Sequence, residues 1–472
     1  MKTRSHLLLV GAMALLLILT ACTSPGPRPR PSYSQPTVSR PEPDMSQGHQ
    51  EWSYNRGIYE VNLRHFTEEG TFAAFAAHLD RLQQMGVGII WFMPIHPIGQ
   101  ENRLGSLGSP YSVKDYLAVN PEYGTLDEFR SLVAEIHARD MRVIMDWVPN
   151  HTSWDSVLTE SHPEWYRTDE EGNFIIPPGT NWSDVIQLDH SQPGLLEYMI
   201  EAMSFWAGDV GVDGFRFDAV SYVPGNFQIR LNNALKARYP DIFLLAEAEG
   251  DRFREYGYSG NFAWSFYGFE GGILPQVRSG QAGPQDLTAF YEQEHESYPD
   301  YYRMYFTDNH DENAWHGTTY ERFGEAVDAF SVMVHTAGGI PLIHNGQEAA
   351  LRDSLAFFEK DLIDWGSYEK QDFFATLLEL RRTNQALWAG GSGGDFEPIA
   401  VSGDPDVLAY ARRRDGDSVL VLVNLDGDSA RVDVDDSSTY GDWQDVFSDA
   451  TISLEQGFSV ELPGWGYVVY AR

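Results

Sequence analysis

The chain of 472 residues contains a single cysteine, Cys22. That excludes a disulfide framework and any cysteine-rich metal site. Basic residues are scarce: 33 Lys and Arg stand against 69 Asp and Glu, for a net charge of −36, and only five of the 33 are lysines. A field of that sign repels phosphate backbones and argues against a nucleic-acid partner. After residue 21 no apolar run is long enough to read as a membrane span. There is no internal repeat beyond an alternation of strand and helix patterns. Apolar material is ample, at 42% hydrophobic and 13% aromatic, which supports a large core and excludes a disordered chain. At ~150 residues per domain the length predicts two or three domains, although an α/β barrel takes up about 250 residues as one.

The first segment reads as targeting. Lys2 and Arg4 precede an apolar run from Leu7 to Ala21, the length of a secretory core and short for a membrane span. The run ends Leu19-Thr20-Ala21-Cys22, which resembles the lipobox of bacterial lipoproteins. The resemblance implies cleavage before Cys22, lipidation of Cys22 and an exported, membrane-anchored protein on the periplasmic or cell-surface side, with 1–22 as signal peptide. Each buried lipid methylene contributes ~0.8 kcal/mol, so a multiply acylated cysteine holds firmly. Residues 23–50, with Pro25, Pro27, Pro29, Pro31, Pro36, Pro41 and Pro43, read as an extended tether.

Residues 51–390 alternate in period. Apolar runs at 57–63, 87–93, 142–148, 212–219, 242–246, 263–269, 304–307 and 340–344 predict strands, and helix-period stretches at 72–85, 126–139, 194–207, 226–238, 323–335 and 368–383 separate most of them. That succession predicts an α/β fold, a (β/α)8 TIM barrel rather than an open sheet. The stretch 150–190 is too long for an ordinary connection and predicts a short inserted domain B after strand 3. From 395 to 472 the pattern becomes β-branched, with Asp-Gly turns at 415–416 and 426–427, predicting a C-terminal antiparallel β-sandwich.

Four of the predicted strands run into acids: Asp146, Asp218, Glu247 and, after Phe306-Thr307-Asp308-Asn309-His310, Asp311. Barrel strands deliver their carboxyl ends to one face, so these four acids converge there. Any one alone would read as a cap or turn; four buried carboxylates together are costly unless paired. Arg216 lies two residues before Asp218 and shares its strand face, which predicts a lowered pKa and an ionised Asp218. An ionised carboxylate beside a protonatable one is what retaining glycoside hydrolysis requires, with the carboxyls ~5–5.5 Å apart. His151 and His310 are expected to supply neutral donors for sugar hydroxyls, and Tyr111 a face for a pyranose.

These residues carry a resemblance. Asp146-Trp147-Val148-Pro149-Asn150-His151, Gly214-Phe215-Arg216-Phe217-Asp218-Ala219, Leu244-Leu245-Ala246-Glu247 and Phe306-Thr307-Asp308-Asn309-His310-Asp311 resemble, in order and spacing, the four conserved blocks of the α-amylase family of glycoside hydrolases. Gly88–Pro94 and Tyr111–Tyr116 are similar to its supporting stretches, and Gln187-Leu188-Asp189-His190 is a looser match to the block closing domain B. The resemblance implies Asp218 as nucleophile, Glu247 as general acid/base and Asp311 as transition-state stabiliser, with Asp146 structural. It implies substrate contacts from Arg216, His151, His310 and Tyr111. No cofactor is required for that chemistry. The family's structural calcium, with Asn150 at one ligand's position, is neither supported nor excluded, and Asp184 and Asp189 add oxygen-rich loops; the metal ligands stay unassigned. Where many relatives have Lys-His after the nucleophile, this chain has Ser221-Tyr222.

The leading expectation is a retaining hydrolase of α-1,4-glucosidic bonds in starch-like glucans and maltooligosaccharides. A transglycosylase, or a hydrolase of small α-glucosides or cyclodextrins, fits the same motifs. A glycan-binding protein on a decayed barrel is opposed by the joint presence of Asp218, Glu247, Asp311 and Arg216. A magnesium-dependent barrel is opposed by Arg216 and the flanking histidines. Trp147, Trp154, Trp165, Trp182 and Trp264 lie near strand-end loops and are candidates either for packing or for sugar subsites.

Overall fold

The structure, a computed structural model, describes residues 50–268, 271–448 and 450–472. The signal segment, Cys22 and the tether up to residue 49 lie outside the described residues. Eight parallel strands close into a barrel: β1 (Ile58–Val61), β2 (Ile89–Phe92), β3 (Arg142–Trp147), β4 (Gly214–Phe217), β5 (Phe243–Ala246), β6 (Gly260–Phe262), β7 (Tyr302–Tyr305) and β8 (Ile340–His344). Ile58 of β1 faces both Ile89 of β2 and Leu342 of β8, which shuts the ring. Apart from Arg142, every strand residue is buried. Strands covered on both faces read as continuous apolar runs, which is why most were visible in the sequence. Side chains still alternate. Tyr59, Val61, Ile90, Phe92, Val143 and Met145 join one core cluster, while Ile58, Ile89, Trp91, Ile144, Phe243 and Leu245 join another.

One strand differs from expectation. The run 263–269 is not β6; the strand is Gly260–Phe262, and Trp264–Tyr267 is a helical turn. Gly260 and Asn261 carry no apolar signal, and Gly260 is demanded by a neighbour: a Cβ there would stand 2.8 Å from the carbonyl oxygen of Tyr302. The apolar run after it packs outside the barrel, where Phe266 and Tyr267 are buried. The helix-period stretch 72–85 is two helices, Phe72–Ala76 and Leu79–Met85. Helix Leu126–His137 begins at a reciprocal cap, the Thr125 side chain accepting from Glu128 N–H and the Glu128 carboxylate from Thr125 N–H.

After β3 the chain makes a small excursion whose two-stranded antiparallel sheet pairs His151–Ser153 with Val185–Gln187. Beyond the barrel, strands 395–398, 407–414, 417–424, 467–471, 441–445 and 451–454 form a six-stranded antiparallel sheet in that spatial order, and 401–403, 430–434 and 458–462 form a three-stranded one. Alternation explains how the larger sheet is used twice. Leu408, Tyr410, Val419, Val421 and Val423 pack with Phe330 and Val327 of the barrel's helix Val327–Thr336, whereas Ala409, Ala411, Leu420 and Leu422 pack with Val432, Val460 and Leu462 of the smaller sheet. Thr336 and Tyr410 share a hydrogen bond of 2.6 Å across the junction. Among the described residues no helix is long and apolar enough to cross a membrane.

Candidate active site

The carboxyl ends of the strands meet on one guanidinium. Arg216, wholly buried on β4, donates from Nη1 to Asp146 Oδ1 at 2.8 Å and to Asp218 Oδ1 at 3.1 Å. Its Nη2 lies 2.5 Å from Glu247 Oε1 as an ion pair without an aligned hydrogen bond. Glu247 also accepts from the backbone N–H of Ala219, the residue after Asp218, at 2.7 Å. Ala219 takes the left-handed backbone at φ 48°, which costs a residue bearing a Cβ. The side chains of Asp218 and Glu247 are 12% and 16% exposed, and that of Asp311, in the first turn of helix His310–His316, is 37% exposed. Two carboxylates thus stand at the rim of a buried cluster, with a third nearer solvent.

The other sequence-predicted residues gather around this pair. His151 Nε2 is 4.0 Å from Asp218 Oδ2, and His310 Nε2 is 3.4 Å from Asp311 Oδ2. The Tyr111 hydroxyl sits 3.0 Å from Asp146 Oδ2 and 2.8 Å from His310 Nε2. Its ring stacks near-parallel to His310 and Phe357, at 5.3 and 6.2 Å between centroids. Tyr111 is therefore wired by its hydroxyl and lined up by its ring, with only 8% of the residue exposed.

The electrostatics depart from two expectations. Asp218 is not held low by Arg216. Burial, and next the charge of Glu247, push its carboxyl well above the usual range; Arg216 opposes this, and Asp146 and Asp311 add to it. Glu247 is also raised, by burial, with Arg216 and the Ala219 N–H working against Asp311. One guanidinium is shared among three carboxylates in a low-dielectric site, so Asp218 and Glu247 titrate as a coupled pair, both raised. The second departure concerns the histidines. Burial pulls His151 down to about 3, leaving it neutral as expected. His310 is not neutral: burial pulls it down, but the charges of Asp311 and Glu60 and the Glu60 hydrogen bond prevail and push it up to about 9.

Glu60 was not among the candidates. It lies on β1, is fully buried, and contacts His310 Nδ1 through Oε1 at 2.5 Å. Burial pushes Glu60 up, but the imidazolium outweighs burial and holds it below the ordinary value. Trp91 of β2 donates to Asp146 Oδ2 at 3.2 Å and packs edge-on to His310. A line of hydrogen bonds thus runs from Glu60 through His310, Tyr111 and Asp146 to Arg216 and Asp218. Of the five tryptophans, Trp147 and Trp165 are buried core and Trp264 stacks on Phe262. Trp154 donates to the Ser183 carbonyl. Only Trp182 lies against a candidate site residue, 5.4 Å from His151, and it meets the half-exposed Tyr222 at 5.6 Å. On the Tyr111 side, Phe357 continues to the exposed Trp315. No periodicity marks these aromatics in the sequence.

Comparison with known proteins agrees with this geometry. The sequence model of the alpha-amylase catalytic domain matches residues 48–184 and 154–386, and that of the maltogenic amylase C-terminal domain matches 397–469. The chain is 23% identical to Alpha-amylase 2 of Dictyoglomus thermophilum, over 84% of this chain and 73% of that one. It is 30% identical to the alpha-1,4-glucan:maltose-1-phosphate maltosyltransferase of Rhodospirillum rubrum, over 76% of this chain but only 54% of that relative's length. The crystal structure of an alpha-amylase from Lactobacillus plantarum superposes with a TM-score of 0.77 at 29% identity, covering 89% of this chain and 99% of that one. With its closed barrel, its antiparallel C-terminal sheets and its strand-end acids on Arg216, this chain belongs to the α-amylase family of glycoside hydrolases.

Proposed function

We propose that the chain is a retaining hydrolase of α-1,4-glucosidic bonds in starch-like glucans and maltooligosaccharides. The observation that carries this reading is the pairing of Asp218 and Glu247 on Arg216, with Asp311 nearer solvent. The raised pair supplies one carboxylate and one carboxylic acid in reach of each other, the requirement of double displacement. Asp218 attacks the anomeric carbon while Glu247 gives its proton to the departing glycosidic oxygen. Glu247, now ionised, takes a proton from water, whose oxygen attacks the same carbon and releases Asp218. Asp311 accepts hydrogen bonds from sugar hydroxyls as positive charge builds on the ring. Neutral His151 donates to the sugar at the cleavage position. Charged His310 fixes Tyr111 and Asp311 around it.

Two of the similar proteins carry names for hydrolysis and one a name for maltosyl transfer, so the acceptor is the open question. The deciding experiment resolves by chain length the products from soluble starch, maltotriose and cyclodextrin. A ladder of new reducing ends from starch is expected. Products longer than the starting maltotriose, without net reducing ends, would replace hydrolysis by transfer.

Export and anchoring through Cys22 belong to the same proposal, resting on the lipobox-like Leu19-Thr20-Ala21-Cys22. Wild-type chain expressed in a bacterial host is expected to take up labelled palmitate and fractionate with membranes, and Cys22→Ser to do neither. Equal membrane recovery of the variant would refute the anchor.

A further inference from the structure

Where the inserted segment returns to the barrel rim, one side-chain amide gathers three oxygens. Gln187 ends the second strand of the excursion, opposite His151. Its Nε2 donates to three oxygens: Asn150 O at 3.0 Å, Asn150 Oδ1 at 3.1 Å and Leu188 O at 2.9 Å. Asn150 is wholly buried and Gln187 nearly so. An amide has two N–H groups for these three acceptors, so one bond is shared. Oxygens gathered around one point inside the protein form a cradle of the kind that holds a cation, yet here a nitrogen of the chain fills it.

The family resemblance places a calcium ligand at Asn150, and the residues present do not fit that ion. Calcium takes six to eight oxygens at about 2.3–2.6 Å, carboxylates prominent among them. Both oxygens of Asn150 are turned onto Gln187. The Asp189 carboxylate is occupied by Ser191 N–H, Ser191 Oγ and Gln192 Nε2. Among the described residues no group of three or more His, Cys, Asp or Glu side chains is placed to hold a metal. We infer that the Gln187 amide takes the structural place of a calcium ion at this junction, so that the chain folds and works without calcium. The junction matters to the site because Asn150 directly precedes His151, whose Nε2 faces Asp218. This inference is independent of which glucan is cleaved.

The test is thermal unfolding of the full chain in excess EDTA, in calcium and in magnesium, at matched ionic strength because the chain is strongly acidic. Wild type is expected to melt at one temperature in all three. Gln187→Ala should melt several degrees lower in all three. Gln187→Glu, which turns a carboxylate toward the three oxygens, should melt lowest in EDTA and regain several degrees in calcium. Wild type gaining several degrees from calcium over magnesium would overturn the inference. So would Gln187→Ala melting like wild type, or Gln187→Glu showing no response to calcium.

Discussion

Asp218→Ala and Glu247→Ala are each expected to lower starch hydrolysis by roughly 10³-fold or more while the fold is kept, since both lie at the rim and not in the core. Loss alone does not separate their roles, and the geometry makes the separation necessary. Arg216 contacts both acids, and burial raises the proposed nucleophile Asp218 as well as Glu247. A small anion resolves this. With α-maltosyl fluoride, whose leaving group needs no proton, azide should enter the space left in Asp218→Ala from the β face and form β-maltosyl azide. Glu247→Ala should still form the glycosyl-enzyme on Asp218, and azide should then displace it from the opposite face to form the α-azide. Exchanged product configurations would exchange the two roles; no rescue of either variant would remove both from the reaction. Because the pair as a whole is raised, the acidic limb of the wild-type pH–rate profile should lie above the ordinary carboxylate range.

Much of this site was legible because barrel chemistry is concentrated where apolar runs stop. Asp146, Asp218 and Glu247 each end such a run, and Asp311 follows one closely, so their convergence followed from fold class alone. Glu60 escaped the same rule because its run does not stop there: Val61 and Leu63 carry the apolar pattern on, and the acid looked interior. Strand β6 escaped because Gly260 and Asn261 owe their extended form to pairing with neighbours, in particular to the close approach of Tyr302. The signs of two charges were beyond local reading. Arg216 does bond Asp218, as the two-residue spacing predicted, but the net shift depends on how many other carboxylates share that guanidinium. The charge on His310 depends on Glu60, 250 residues away in sequence. Contacts of that range are made by the closing of the barrel, since β1 and β7 are neighbours only through β8.

Glu60→Gln is the second large expected effect, and it is a statement about pH. In the folded chain His310 sits at about 9, against ~6.5 when unfolded. A group raised on folding contributes its stability fully below the unfolded value and loses it as pH climbs through the folded value. The groups facing the imidazole are Glu60 from β1, Tyr111 from the loop after β2, Arg216 from β4 and its neighbour Asp311, with Asp146 and Glu247 also within reach of its charge. Glu60 itself is lowered, so its share is present above its ordinary value and is lost only in acid. Wild-type stability should therefore fall between about pH 6.5 and 9, by up to about 3 kcal/mol from this group. The amide introduced by Glu60→Gln would keep a hydrogen bond to Nδ1 but not the charge, so in this variant the decline should be smaller and end at lower pH, its onset near pH ~6.5 unchanged. Activity should follow, because a neutral His310 can no longer donate from both nitrogens, and the hydrogen bond from Nε2 that orients Tyr111 beside Asp146 loses its fixed direction. The alkaline limb of the activity profile is accordingly expected to move toward neutrality in the variant, with substrate binding at pH 6 nearly unchanged. Denaturant midpoints measured from pH 6 to 10 decide the matter: parallel curves for wild type and Glu60→Gln would show that the buried pair does not set the charge on His310, and the line of hydrogen bonds from β1 to Arg216 would then be packing rather than electrostatics.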